Sequence, residues 1–218
     1  MKKHLLMAGV AAMLMHVNVT VADVLVNWNL DGLNRASEAA TKAAPSVVHD
    51  GVAVSDLSFS STLKATSWSD ALTVYANELA GNLSGALGKK SFFTFTVTPK
   101  EGKKVSFSSM FNRVSVNTGN LQTGATIKLV LLNSIDGFAT EKEVAAFEAS
   151  HPIDNANATE TSGIFDLSGV ESLQHVNGAV EFRVYAVLVN GVGNRLGYGH
   201  IFYEDGQDDL RVEGMVSE

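Results

Sequence analysis

The sequence predicts an all-β protein, an antiparallel, jelly-roll-like β-sandwich with one or two short helices. Three observations carry that expectation. Several segments alternate apolar and polar side chains with a period of two. Turn residues punctuate those segments at short intervals. Val, Ser, Thr, Gly, Asn and Phe are abundant, and they favour pleated strands and turns over helices.

The first 22 residues read as a secretory leader rather than as part of the fold. Lys2 and Lys3 make a short positive start. Leu5 to Met15 is mostly apolar, and Thr20-Val21-Ala22 places small residues at a cleavage site. The apolar stretch is too short to span a bilayer, which takes about 20 apolar residues. Cleavage is expected after Ala22, with Asp23 the new N-terminus. The remaining roughly 200 residues, 23–218, suit one domain with a single core.

The clearest alternation lies in 92–98, where Phe93, Phe95 and Val97 face one way and Thr94, Thr96 and Thr98 the other. The longest is 179–189. Val180, Phe182, Val184, Ala186 and Leu188 share one face there, and Glu181, Arg183 and Tyr185 the opposite one. Phe182 is expected mid-core and Tyr185 exposed. Further strands are expected at 24–30, 52–60, 104–110, 112–118, 126–134, 199–204 and 209–216. Pro99 to Gly102, Asn117 to Asn120, Asp136-Gly137, Asn190-Gly191 and Asp205-Gly206 are the turn signals between them.

Two stretches depart from the strand pattern. In 69–83, Leu72, Tyr75, Ala76 and Leu79 recur at helical spacing, with Ser69 as N-cap and Gly81 as stop. Residues 140–150 fit either a helical turn or a strand after Asp136-Gly137. Residues 34–45 are small and polar and read as a loop with room for a short helix.

The formal net charge is −7, and loss of Lys2 and Lys3 makes the mature chain more acidic still. An acidic chain without basic clusters is repelled by phosphate backbones, so nucleic acid is not an expected partner. With no cysteine, disulfides and thiolate chemistry are excluded.

The order of segments resembles a family of exported bacterial β-sandwich domains that often travel with PEP-CTERM or autotransporter-type sorting signals. The residues that carry the resemblance run through most of the mature chain. They are Trp28 to Leu33, the small-residue loop Ala36 to Ala44, Trp68, Phe92 to Pro99 and Gly102 to Ser109. Ser134-Ile135-Asp136-Gly137-Phe138, Asp166 to Val170, Gly178 to Tyr185 and Asp209 to Gly214 complete it. The resemblance implies a jelly-roll-like sandwich with Trp28 and Trp68 in the core, and it implies no chemistry. Ser217-Glu218 carries no sorting tail of that kind, so attachment by that route is not expected.

Ser134-Ile135-Asp136-Gly137 reads as a turn, since Gly accepts positive φ and the Asp side chain caps the turn backbone. Asp205, Asp208 and Asp209 beside Gly206 form the local acidic cluster. Calcium takes about six to eight oxygens, so these supply part of a shell at most, and a solvated turn explains them as well. Structural calcium is therefore left open. His49, His151, His175 and His200 are too scattered for a paired zinc motif. No serine sits in Gly-x-Ser-x-Gly. No catalytic, cofactor-binding or metal residue is assigned.

Aromatic side chains are the remaining lead, because Trp and Tyr can stack on sugars. Trp28, Trp68, Tyr75, Tyr185, Tyr198 and Tyr203 are the candidates. The expected function is that of a secreted, non-catalytic β-sandwich with a structural, adhesive or surface-associated role, located outside the cell, at its surface or in the periplasm. The alternatives are a carbohydrate-binding module and, behind it, a hydrolase or lyase acting on polysaccharide. The expected partner is a glycan or another component of the cell surface or extracellular matrix.

Overall fold

The computed structural model describes residues 22–30, 42–60, 64–68, 71–75, 80–90, 92–117, 126–139, 145–150, 159–190, 195–198 and 208–218. Residues 1–21 of the expected leader at 1–22, and the expected strand at 199–204, lie outside them. The described residues form an all-β antiparallel sandwich of two sheets. The first has eight strands. Its order is β3 (Val47–Val48), β1 (Asp23–Trp28), β15 (Leu210–Ser217), β9 (Lys104–Asn117), β14 (Arg195–Tyr198), β7 (Ala71–Tyr75) and β6 (Lys64–Trp68). The eighth strand, β12 (Thr159–Asp166), pairs with β9. The second sheet has seven strands. They run β11 (Ala145–Ser150), β10 (Thr126–Asn133), β13 (Val180–Asn190), β8 (Phe92–Pro99), β5 (Leu57–Phe59) and β2 (Lys42–Ala43), with β4 (Val52–Val54) also on β8.

β9 is the spine of the first sheet. β15 pairs along Lys104 to Asn112, β14 continues along Val114 to Asn117, and β12 pairs with Ser109 to Val116. The overlap puts β12 on one edge of β9 and β14 and β15 end to end on the other. The two strands expected at 104–110 and 112–118 are thus one.

The alternations are obeyed on the core side. Phe93, Phe95, Val97, Val180, Phe182 and Val184 are buried, as are Val105, Phe107, Met110, Val114, Leu210 and Val212 from the facing sheet. Phe182 touches both sheets, with its ring centroid 5.4 Å from Phe95 and 5.0 Å from Phe107. Trp28 is fully buried against Phe95 at 4.8 Å. Burying an aromatic of this kind contributes about 1.5–3 kcal/mol.

Several expectations are corrected. Residues 71–75 are a strand, paired with β6 on one side and β14 on the other. Leu72 to Tyr75 includes Thr73 and β-branched Val74, which suit a paired strand as well as a helix. The helix, α1 (Leu83–Lys89), begins later. Asn82 is its N-cap and accepts from the Gly85 N–H at 2.8 Å. The stretch 52–60 breaks at Ser55-Asp56 into β4 and β5. There the Ser55 hydroxyl accepts the Thr96 N–H at 2.9 Å, in place of a continuous ladder. Lys42-Ala43 is a short strand rather than loop or helix, and 145–150 takes the strand alternative. Strands β12 and β14 were not expected.

α1 packs on the outer face of the second sheet. Ala86 joins Val130, Leu132, Tyr185 and Val187 in a small cluster there. Tyr185 faces away from the core as expected, but it is 2% exposed and so buried rather than solvated. The covering helix is what the strand pattern could not reveal.

Candidate functional site

Two polar clusters stand on the outer faces of the sandwich, one on each sheet. On the second sheet, the Arg183 guanidinium lies over Phe92 at 4.8 Å and over Phe138 at 3.7 Å. Its Nε donates to Glu181 Oε1 at 2.7 Å. Partial burial works against its charge, but hydrogen bonds to Glu181 and Tyr185 outweigh that and hold its pKa above the ordinary value. Burial raises the Tyr185 phenol, with Arg183 opposing.

The turn after β10 builds one wall of this clamp. Asn133 Oδ1 accepts the Asp136 N–H at 3.0 Å, and Asn133 Nδ2 donates to Asp136 Oδ2 at 2.9 Å. Ser172 Oγ donates to the same Oδ2 at 3.0 Å. Asp136 is thereby a turn latch, as its pairing with Gly137 predicts. Gly137 takes φ +65°, and Phe138 follows at φ +56°, a left-handed conformation uncommon for a bulky residue. The turn delivers the Phe138 ring onto Arg183. The guanidinium is already packed on two rings and bonded to Glu181, so we read this cluster as a clamp and not a site.

The first sheet carries a different arrangement. Ile164, Phe111, Arg211, Asn27 and Val47 are successive cross-strand partners in one row, from β12 to β3. Phe111 and Arg211 alternate with core-facing Met110 and Val212, so the row lies on the outer face. Ile164 is 65% exposed and Val47 51%, while Phe111, Arg211 and Asn27 are half-buried. Arg211 Nη1 donates to Asp208 Oδ2 at 2.7 Å, and its Nε to Glu213 Oε1 at 2.9 Å. Ser109 Oγ donates to Glu213 Oε2 at 2.8 Å. Asn27 Nδ2 donates to Asp208 Oδ1. The guanidinium lies 5.4 Å from the Phe111 ring centroid. Hydrogen bonds to Asp208, ahead of a smaller opposing effect of burial, raise the Arg211 pKa. Asn27, Asp208, Arg211, Glu213 and Ser109 are thus held by one another at the middle of a half-exposed patch.

The acidic cluster divides here. Asp208 faces outward to Arg211 and Asn27. Asp209 is buried and accepts the Leu30 N–H at 2.7 Å through Oδ2. Asp205 lies outside the described residues. Both precede β15, whose alternation would have put Asp208 on the same side as core-facing Leu210 and Val212, so strand period does not part them. Among the described residues no group of three or more His, Asp or Glu side chains could hold a metal ion.

The other candidates disperse. His49 Nδ1 accepts the Gly51 N–H at 2.9 Å, His175 is exposed, and His151 and His200 lie outside the described residues. Trp28 is core. Tyr203 and the side chains of Trp68, Tyr75 and Tyr198 are likewise outside. The sequence reading missed Phe111, Arg211 and Asn27 as a group. Only strand register brings together residues from β9, β15 and β1, and no local spacing signals it.

No family model matches the chain, and no curated protein does. Solved structures similar to it include a Stig cyclase, Fisc, from Fischerella sp. TAU in complex with an indole ligand. That match has a TM-score of 0.40 and 10% identity, and covers 90% of this chain and 100% of the other. An arabinose-bound a-L-arabinofuranosidase matches at a TM-score of 0.39 and 10% identity. It covers 88% of this chain, which spans only 26% of the arabinofuranosidase. A second cyclase from Fischerella sp. TAU matches at a TM-score of 0.38 and 13% identity, covering 89% and 98%. At these values the likenesses carry no argument about activity.

Proposed function

We propose that the chain is an exported, non-catalytic β-sandwich that works by surface recognition, in an adhesive or surface-associated role. The observation that supports recognition is the interlocked row on the outer face of the first sheet. Its polar groups are held in place before any partner arrives, which lowers the ordering cost of binding. Export rests on the N-terminal sequence, where Lys2-Lys3, the apolar stretch and Thr20-Val21-Ala22 follow the order of a leader.

Carbohydrate binding is the second reading, favoured by one specific observation. Asn27, Arg211, Asp208 and Glu213 offer both donors and acceptors beside the Phe111 ring. Hydrolysis by paired carboxylates needs two of them flanking a bond, about 5–10 Å apart. Asp208 and Glu213 instead share one guanidinium on an open sheet face.

Fluorescently labelled mature protein should stay on washed cells of the producing strain. An Arg211→Ala variant that still folds should be retained less. Equal recovery of wild type and a denatured control in the wash would sink the recognition reading. Mass spectrometry of the exported protein should find Asp23 as its first residue, whereas an intact Met1 would refute the leader.

A further inference from the structure

The geometry points to an uncharged, hydroxyl-rich glycan as the ligand of the row Ile164–Phe111–Arg211–Asn27–Val47. The inference rests on the recognition reading and names the ligand chemistry of that same face. Four strand spacings separate the ends of the row, so it runs roughly 19 Å, room for several sugar units laid across the strands.

The lining follows a pattern. Exposed Ile164 and half-buried Phe111 are apolar at one end, and exposed Val47 at the other. Between them lie the guanidinium of Arg211, the amide of Asn27, and the carboxylates of Asp208 and Glu213. A sugar ring has apolar C–H faces and a rim of hydroxyls that donate and accept at once. Carboxylates accept from such hydroxyls, while the guanidinium and amide donate. The bonds to Asp208 and Glu213 occupy one Nη1 proton and the Nε proton of Arg211, so further donors remain on its fork.

Charge selects among glycans. One cation stands against two carboxylates in the network, and Asp166 is exposed in the adjacent row, opposite Ser109. The whole chain carries −7. Uronic-acid or sulfated polymers would meet a net negative face on a net negative protein. An uncharged polyol meets no such penalty.

The test is affinity gel electrophoresis and insoluble-polysaccharide pull-down of the mature protein. The panel is cellulose, xylan, a mixed-linkage glucan and chitin, set against alginate, polygalacturonate and heparin. The variants are Phe111→Ala, Arg211→Lys and, on the other sheet, Glu148→Gln, each with its melting temperature measured. Arg211→Lys keeps the charge and loses the fork, so it serves if Phe111→Ala does not fold. Binding to an uncharged polysaccharide should weaken by about tenfold or more in folded Phe111→Ala and Arg211→Lys, the loss expected of central contacts. Glu148→Gln should bind like wild type. Uncharged-glycan binding that all variants retain would overturn the site. Binding confined to the anionic polymers would overturn the charge argument. No polysaccharide binding, with retention on cells intact, would overturn this inference and leave the recognition reading standing. Loss of both would end both.

Discussion

The guanidinium of Arg183 lies over both the Phe92 and Phe138 rings, at 4.8 and 3.7 Å from their centroids. The three residues come from β13, β8 and the turn after β10, so the clamp ties two strands to a turn. Phe138 achieves this at φ +56°, which strains a residue with a Cβ by about 1–2 kcal/mol. Two opposite effects therefore meet at this position. Phe138→Ala loses the ring and keeps the strain, and it should cost about 1–2 kcal/mol through the lost cation–π contact and burial. Phe138→Gly loses the same ring but relieves the strain, so it should be the more stable of the two variants. Urea midpoints would decide. If Ala is at least as stable as Gly, backbone conformation is not what this position stores.

Phe182→Ala should cost about 3–5 kcal/mol, the usual range for a core Phe that leaves a cavity. Phe182 is fully buried, tilted against Phe95 and edge-on to Phe107 in the facing sheet. The denaturant midpoint should fall with no change in the slope of the transition. A loss below about 1 kcal/mol would show that neighbours collapse into the space.

How much of this was legible beforehand depends on range. The faces of β8 and β13 could be read from Phe93-Phe95-Val97 and Val180-Phe182-Val184, because alternation is a property of one strand. The Asp136-Gly137 turn was legible for the same reason. Within the expected helix at 69–83, residues 71–75 are strand, and 69–70 and 76–79 lie outside the described residues. Leu72 and Tyr75 are three apart, a spacing that a helix favours and a paired strand tolerates. Tyr185 was misread because its cover, α1, comes from 83–89, almost a hundred residues away in sequence. The row through Phe111, Arg211 and Asn27 was invisible, since it exists only once β9, β15 and β1 are in register.

Alkaline stability should depend on Tyr185. Burial raises its phenol pKa in the folded state, with Arg183 pulling the other way. The sign follows from which state holds the proton. Below the unfolded phenol value of about 10 both states are neutral and the contribution is complete. As pH rises past that value, the unfolded chain ionises first and folding weakens, until the folded phenol also loses its proton. Tyr185→Phe cannot ionise, so its loss of stability above about pH 10 should be shallower than that of wild type. Guanidinium midpoints from about pH 8 to 11 would measure it. Parallel curves for the two proteins would mean that Tyr185 does not contribute to the alkaline limb.

The last expectation concerns a polar residue in the core. Asn112 is fully buried, and neither atom of its amide has a hydrogen-bond partner. Register sets it beside Leu210 and Gly163, with Trp28 one strand further on, and Met110 and Val114 flank it along β9. The indole N–H of Trp28 is likewise buried without a partner. An amide taken from water without replacement bonds costs about 1–3 kcal/mol. Leucine has nearly the same length and branch point and carries no such cost. Asn112→Leu should therefore raise stability by about 1–2 kcal/mol, less whatever its slightly larger volume takes back in strain. Asn112→Ala removes the same polar cost but opens space next to Gly163, so it should fall below Asn112→Leu. Chemical denaturation of the three proteins, with the same slope required of each, would give the order. If Asn112→Leu is instead destabilising by more than about 1 kcal/mol, the amide is hydrogen-bonded in solution and this row of the core is polar by design.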